Sequence, residues 1–322
     1  MIDLSIVIVN YEGRDLTLRC LESIDREVRS RSGESRMSVE VVVVDNGSTD
    51  ASVEAVRSSF PWARVIELPR NVGFAKGCNA GLRTIRGRHA LLLNNDTIVS
   101  AGTLERSVAF LDANPDVGVV GPQLVHEDGR LQNSIHAAPG LSTELLPKAL
   151  LEWLFPRRHP SKRVPLAGPT DVDAVLGACL FVRGEVLASV GGLPEEYFLF
   201  LEETDWCWAI RHAGHRVVHL PDVRLVHLSG ASSRRRDAAA KRIEYHRSLY
   251  RFLEKRRGAW TARIVRAHRI AKGLIEVTVL APLVLVSRGQ RRRWSERRRL
   301  LAWHLRGRPA GFGLAPLAEE RS

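Results

Sequence analysis

Three carboxylates fall within four positions, Glu202, Glu203 and Asp205, straight after the apolar run Tyr197-Phe198-Leu199-Phe200-Leu201. A helix mouth favours one or two such groups through its positive dipole end. A third crowds like charges together, and crowding can hold one carboxyl ready as a general base. Asn94-Asn95-Asp96 ends the apolar run Leu91-Leu92-Leu93, and one carboxylate suffices for a hard divalent cation such as Mg²⁺ that a diphosphate grips from the other side. Turn chemistry alone also favours Asn and Asp at a strand end. His227 closes another apolar stretch, where a histidine by default serves packing but a neutral imidazole can complete a metal shell begun by Asp96.

Two further segments suit a nucleotide. In Val44-Asp45-Asn46-Gly47-Ser48-Thr49-Asp50, a carboxylate at a strand's carboxyl end can accept the imide N–H of uracil or thymine. The same residues also describe a solvated turn in which Ser48 or Asp50 caps the next helix. In Arg70-Asn71-Val72-Gly73-Phe74-Ala75-Lys76-Gly77-Cys78-Asn79-Ala80-Gly81, glycines and asparagines lead into a helix whose N-terminus favours anions, so the backbone can approach a ribose and diphosphate closely. Helix packing alone accounts for the glycines equally well. The segment is neither a Walker loop nor a dinucleotide fingerprint.

These groups need elements to position them. Leu4 to Val9 and Val39 to Val44 are short, β-branched runs of the kind buried on both faces of a sheet. Between them, Leu16, Leu18, Leu21, Ile24 and Val28 predict a helix over 14–29. The alternation continues with helix 51–59, strand 64–68, helix 74–86, strand 89–93, helix 103–113 and strand 117–121. It implies an α/β fold with a mostly parallel sheet flanked by helices and ligands at the strands' carboxyl ends.

Residues 139–170 break this rhythm with six prolines and the run Leu145 to Phe155, an insertion packed on the domain or, more sharply, a loop dipping into a membrane. A strand, helices near 184–190 and 203–213, and a strand pair around 216–227 follow. Lys+Arg number 24 against 29 Asp+Glu in 1–232 but 24 against 7 in 233–322, so the net charge of +12 divides into −5 and +17. A domain boundary is therefore placed at 232, with a basic, helical region over 233–322 that opens on helix 237–257. Arg234 to Arg236, Lys255 to Arg257, Arg291 to Arg293 and Arg297 to Arg299 flank the 13-residue apolar stretch Leu274 to Val286. That stretch is short of the roughly 20 residues a bilayer span needs, but the mixture suits an interfacial anchor on an anionic leaflet.

A hydrophobic share of 44% excludes whole-chain disorder and fibrous repeats. Cys20, Cys78, Cys179 and Cys207 are too scattered for a metal cluster or a small disulfide scaffold and read as reduced, cytosolic residues. Met1-Ile2-Asp3-Leu4-Ser5 lacks the basic start of an export signal. Nucleic acid is not expected as a partner, because a phosphate-binding tail leaves the ordered acidic motifs unexplained. A nucleotidyltransferase is the nearest enzymatic rival; it calls for a glycine-rich Arg/Lys loop in the first turn, which here is Asn10-Tyr11-Glu12-Gly13-Arg14.

Taken together and in order, the five segments over 3–232 resemble the inverting family 2 glycosyltransferases of GT-A fold, most closely bacterial rhamnosyltransferases of cell-wall and O-antigen assembly, with galactofuranosyltransferases nearby. The resemblance implies that Asn10, Tyr11 and Glu12 line the base pocket and that Asp45 pairs with the pyrimidine. Asn71, Gly73 and Asn79 then border the ribose and diphosphate. Asn94-Asn95-Asp96 is similar to the family's Asp-x-Asp motif, with Asn94 and Asn95 on the donor, Asp96 anchoring Mg²⁺ or Mn²⁺, and His227 as second ligand. Glu202-Glu203-Thr204-Asp205 is similar to the Glu-Asp-x-Asp element whose second acid is the base, here Glu203, with Glu202 as the alternative and Asp205 expected to share in catalysis. Glu203 stands where members usually carry Asp, and Ala209 where many carry Arg, with Arg211 nearby. By the same resemblance the acceptor enters along Gly177-Ala178-Cys179, Tyr197 and Phe200, and the basic, apolar C-terminal region makes a polyprenyl-diphosphate-linked glycan the expected acceptor. The enzyme would then work peripherally on the cytoplasmic face of the membrane. A catalytically degenerate nucleotide-binding partner is the remaining alternative.

Overall fold

The protein is described by a computed structural model covering residues 2–29, 37–156, 166–228, 237–282 and 287–314. Ser229 to Ser232 and the boundary at 232, Arg234 to Arg236, Arg157, Arg158, Lys162, Arg163 and Leu283 to Val286 lie outside the described residues. The chain begins β1 (Leu4–Asn10), α1 (Arg14–Arg29), β2 (Val39–Asp45), α2 (Ser52–Ser59), β3 (Arg64–Glu67), α3 (Phe74–Leu82), β4 (His89–Asn94), β5 (Thr97–Val99), α4 (Thr103–Ala113) and β6 (Val117–Val125). It continues through β7 (Ile135–His136), α5 (Leu141–Leu145), α6 (Lys148–Leu154), β8 (Thr170–Asp171), β9 (Ala174–Val175), β10 (Cys179–Arg183), α7 (Gly184–Val190), α8 (Glu202–His212) and β11 (Arg216–His227). Helices α9 (Ala238–Arg257), α10 (Ala259–Leu280) and α11 (Arg288–Leu305) form the C-terminal extension.

The main sheet runs β3-β2-β1-β4-β10-β6-β11-β5, with β8 against β11. Its first four strands are parallel, and β10 enters antiparallel between β4 and β6. Both faces are covered, as the unbroken apolar strands require: along β1, Ile6 and Ile8 enter one core and Val7 the other. On the second face Gly81 of α3 sits so close to β1 that a Cβ would lie 2.4 Å from Val7 Cγ1, which lets the helix lie flat on the sheet.

Three predicted elements differ, the first being the strand expected over 117–121, which runs on to Val125 as β6. Helix α3 stops at Leu82, because the Thr84 N–H and hydroxyl both donate to the Gly81 carbonyl, at 2.9 and 2.8 Å, and close a tight turn. The pair of strands expected around 216–227 is one strand, β11, whose pairing with β6 slips between Leu220 and Arg224. Pro221 lies in that slip and has no N–H for the ladder. The segment 139–156 carries α5 and α6; α6 buries Leu151 but leaves Trp153 76% exposed.

The C-terminal helices share a third core with the loop ahead of α8, joining Tyr197 and Leu201 to Ile243, Leu249, Phe252 and Trp303. The basic run Lys255 to Arg257 turns inward. Lys255 Nζ donates to Glu196 at 2.6 Å and to Asp205 at 2.7 Å, Arg256 donates to Asp205, and Arg257 bonds the Pro139 carbonyl and lies over the Trp208 ring. Among the described residues no helix is long and apolar enough to cross a membrane. All four cysteines are free and buried.

Candidate active site

The parallel register brings Asn10 beside Asp45 at the carboxyl ends of β1 and β2. Asp45 accepts from Asn10 Nδ2 at 2.9 Å and from the Ser48 N–H at 2.9 Å, and it lines a pocket of about 290 Å³ with Tyr11, Gly47, Ser48, Leu68, Arg70 and Asn71. A carboxylate has room for a further donor after two. Asn10 does not line this pocket. It is buried, donating to Asp45 and Ser48 and accepting from Thr17 and Asn95, so it ties the strand ends together. Glu12 is likewise occupied, its Oε1 holding the Thr49 N–H and hydroxyl at 3.0 Å each.

A cavity of about 600 Å³ opens alongside and shares Tyr11 and Asn71 with that pocket. Its walls carry Gly73, Asn94, Asn95, Asp96, Glu202, Glu203 and His227, which the sequence order scatters and the fold collects. Gly73 adopts φ +93°, and a Cβ there would meet the Phe198 carbonyl oxygen at 2.7 Å. Gly73→Ala is therefore expected to destabilise the fold by about 1–3 kcal/mol and to raise the donor KM, read by denaturant melts and steady-state kinetics. Asn79 is elsewhere: its amide bonds the Leu193 N–H and carbonyl and Glu195, fastening α3 to the turn after α7. One residue missed in the sequence is Asn46, whose amide braces Val72, Gly73 and Asn71. Its place in the Asp45 motif was the available signal.

On the far wall, β5 pairs with the end of β11 and sets His227 opposite Thr97. His227 Nε2 lies 3.4 Å from Asp96 Oδ1, and His227 Nδ1 lies 3.0 Å from Gln132 Oε1. The Gln132 amide nitrogen is committed to the His227 and Val125 carbonyls, so Oε1 is the acceptor and Nδ1 carries the proton. The ring thus turns Nε2 towards a carboxylate, with the buried, unpartnered Asn94 Oδ1 on the same cavity. An imidazole nitrogen and carboxylate facing each other fit a divalent cation. Among the described residues no three His, Cys, Asp or Glu converge on one point, so a cation held by this pair would need further ligands from a substrate or water.

Glu202 and Glu203 face this pair from the first turn of α8, both buried. Burial pushes the Glu203 carboxyl up to about 7. Glu202 rises further, through burial and then the Glu203 charge, and its Oε2 has no partner. A carboxyl titrating near neutrality, beside a second one pushed upward, is suited to act as a general base. Asp205, expected to share in catalysis, does not line the cavity. Residues two apart on a helix point to different sides, and Asp205 turns to Lys255 and Arg256.

Of the expected acceptor path, Gly177, Ala178 and Phe200 line the cavity. Cys179, within β10, and Tyr197, within the third core, are buried behind it. Lys241 and Tyr245 of α9 and Glu144 of α5 complete the wall, residues that no local pattern in the sequence singles out. His136, Ala137 and Tyr245 lead on into a cavity of about 920 Å³ whose lining includes Lys148, Arg211 and His212.

This architecture is that of the GT-A glycosyltransferases. It superposes on a mannosyltransferase of Pyrobaculum calidifontis, solved in complex with GDP-Man and Mn²⁺, with a TM-score of 0.56 at 21% identity over 95% of this chain and 86% of that one. The model of glycosyl transferase family 2 matches residues 5–182, more than half of the sequence, and the chain belongs to that family. The matched span holds Asp45, Gly73 and Asp96, while Glu203 and His227 lie past its end. The N-acetylglucosaminyl-diphospho-decaprenol L-rhamnosyltransferase of Mycobacterium tuberculosis is 29% identical, over 74% of this chain and 81% of its own length. A dTDP-rhamnosyl transferase of Shigella flexneri is 23% identical over 60% and 61% respectively.

Proposed function

We propose that this family 2 glycosyltransferase is a metal-dependent, inverting enzyme that moves L-rhamnose from dTDP-rhamnose to a hydroxyl of a polyprenyl-diphosphate-linked glycan in cell-envelope synthesis. The observation that carries the reaction type is the buried Glu202–Glu203 pair facing Asp96 and His227 across one cavity. The two relatives' names support the donor sugar and the lipid-linked acceptor.

In this reading Tyr11 and Asp45 hold the pyrimidine, and Asn71 and Gly73 let the backbone approach the ribose and diphosphate. Asp96 and His227 hold the divalent cation, which when bound neutralises charge on the departing diphosphate. Glu203, unprotonated above about pH 7, takes the acceptor hydroxyl's proton. The oxygen attacks the anomeric carbon as the bond to the diphosphate breaks on the opposite side, so configuration inverts. Burial and the Glu203 charge push the neighbouring Glu202 carboxyl upward, favouring its protonated form.

The decisive assay offers the purified protein a panel of dTDP- and UDP-sugars with Mg²⁺ or Mn²⁺ and a polyprenyl-diphosphate-GlcNAc acceptor. Turnover confined to dTDP-rhamnose is the expected result. Turnover confined to UDP-galactofuranose would transfer the enzyme to the neighbouring specificity, and nucleotide binding without turnover on any donor overturns the catalytic reading.

We also propose that residues 233–322, which follow the transferase domain 1–232 and pack against it through α9, carry a membrane-associating surface that works peripherally on the cytoplasmic face. Support comes from the exposed apolar side chains of α10, with Trp260 73%, Ile275 64% and Val279 60% exposed, and of α6, with Trp153. Arginines interleave with them, the mixture an anionic interface attracts. The full chain is expected to co-sediment with phosphatidylglycerol vesicles at low salt. Trp260→Glu with Ile275→Glu should release it, and equal sedimentation of that variant would refute the assignment.

A further inference from the structure

The turn that delivers Glu203 is strained. Phe200 and Leu201 have φ of +72° and +66°, consecutive left-handed positions without a glycine, which L-residues keep only where the surroundings impose them. One restraint comes from the donor side, where the Phe198 carbonyl accepts from the Phe74 N–H at 2.8 Å. The others come from α9. Ser248 Oγ donates to the Leu199 carbonyl at 2.8 Å, and the Phe200 ring meets Tyr245 edge-on with centroids 6.1 Å apart. Leu201 is buried with Ile243 and Leu249 in the third core. Lys255 then bridges Glu196, ahead of the turn, to Asp205, behind it, and Arg256 takes the second oxygen of Asp205.

The Asp205 side chain has no solvent exposure. A buried carboxylate held on both oxygens by cations fixes its helix turn far more firmly than an exposed ion pair does. The clamp therefore grips both flanks of the strained turn and the first turn of the helix that carries Glu203.

We infer that α9 is a positioning element of the transfer reaction: Lys255, Arg256 and Ser248 hold the 196–205 segment so that Glu203 meets the acceptor hydroxyl. The inference rests on the reading of Glu203 as the base, but the clamp has a readout of its own. It also gives Lys255 and Arg256 a task that a lipid-facing basic patch would not.

The test uses the full chain with Lys255→Met, Arg256→Met and the milder Ser248→Ala. Hydrogen exchange should accelerate at least about tenfold at the amides of 196–205 in either Met variant while β1 and β4 keep their protection. kcat should fall at least about tenfold with the donor KM unchanged, since only the base's placement is disturbed. Ser248→Ala should fall in the same sense by a smaller factor, and Lys255→Arg should restore most of kcat. Unaltered exchange in 196–205, a uniform rise across the sheet, or a rise in KM at constant kcat overturns the proposal. A wild type inactive on every donor refutes the substrate assignment instead, because the exchange rates report the clamp without turnover.

Discussion

Glu203→Gln is expected to lower kcat by about 10²–10⁴ while the donor KM stays within a few-fold of the wild type. Glutamine keeps the side chain's length and removes only its ability to take a proton. The same group sets the pH profile. With Glu203 pushed up to about 7, the wild-type rate should rise through neutrality as the carboxyl ionises. Stability moves the other way. Between the ordinary value of 4.5 and about 7 the folded protein holds a proton that the unfolded chain has released, so wild-type stability falls as pH rises through that window. The Gln variant has no such proton, and its melting temperature should gain on the wild type from pH 5 to pH 8. A variant retaining more than a tenth of wild-type kcat would remove Glu203 from the role of base and leave Glu202 as its replacement.

Asp96→Asn should lower kcat/KM by about 10²–10³, the few kcal/mol that neutralising a leaving diphosphate supplies. The neutral amide keeps the volume but removes the charge from a two-donor site. Its partner cannot compensate, because His227 is locked by Gln132 with Nε2 facing the cavity. Manganese binding followed by electron paramagnetic resonance, with dTDP present, should show a tight site in the wild type and none in the variant. Full wild-type activity in excess EDTA would sink the metal assignment outright.

Much of the catalytic domain was legible in the sequence because its strands are buried on both faces and so are written as continuous β-branched runs. Val39 to Val44 has no other reading as a strand, and Leu91 to Leu93 points directly at the polar residues that end it. The glycine-rich turn was legible for a related reason, since a φ of +93° at Gly73, with the Phe198 carbonyl oxygen 2.7 Å from where a Cβ would stand, favours glycine there. Side-chain direction was less legible. Asn10, Glu12, Asn79 and Asp205 all stand within or beside the right motifs, yet the structure spends each on a neighbour. Motif spacing places a residue near a site; the local backbone turn decides which way it faces.

By itself, then, the sequence determined the alternating α/β layout, the carboxylate and glycine motifs at the strand ends, and the strong positive charge of the C-terminal ninety residues. Those are local properties, set by periodicity and composition. Only the tertiary structure decided that His227 meets Asp96, that the Glu202–Glu203 pair faces them, and that Lys255 and Arg256 turn inward onto Asp205. Each of these depends on segments far apart in the chain, and on burial that raises a carboxyl or rewards an ion pair. Neither quantity exists until the chain has folded.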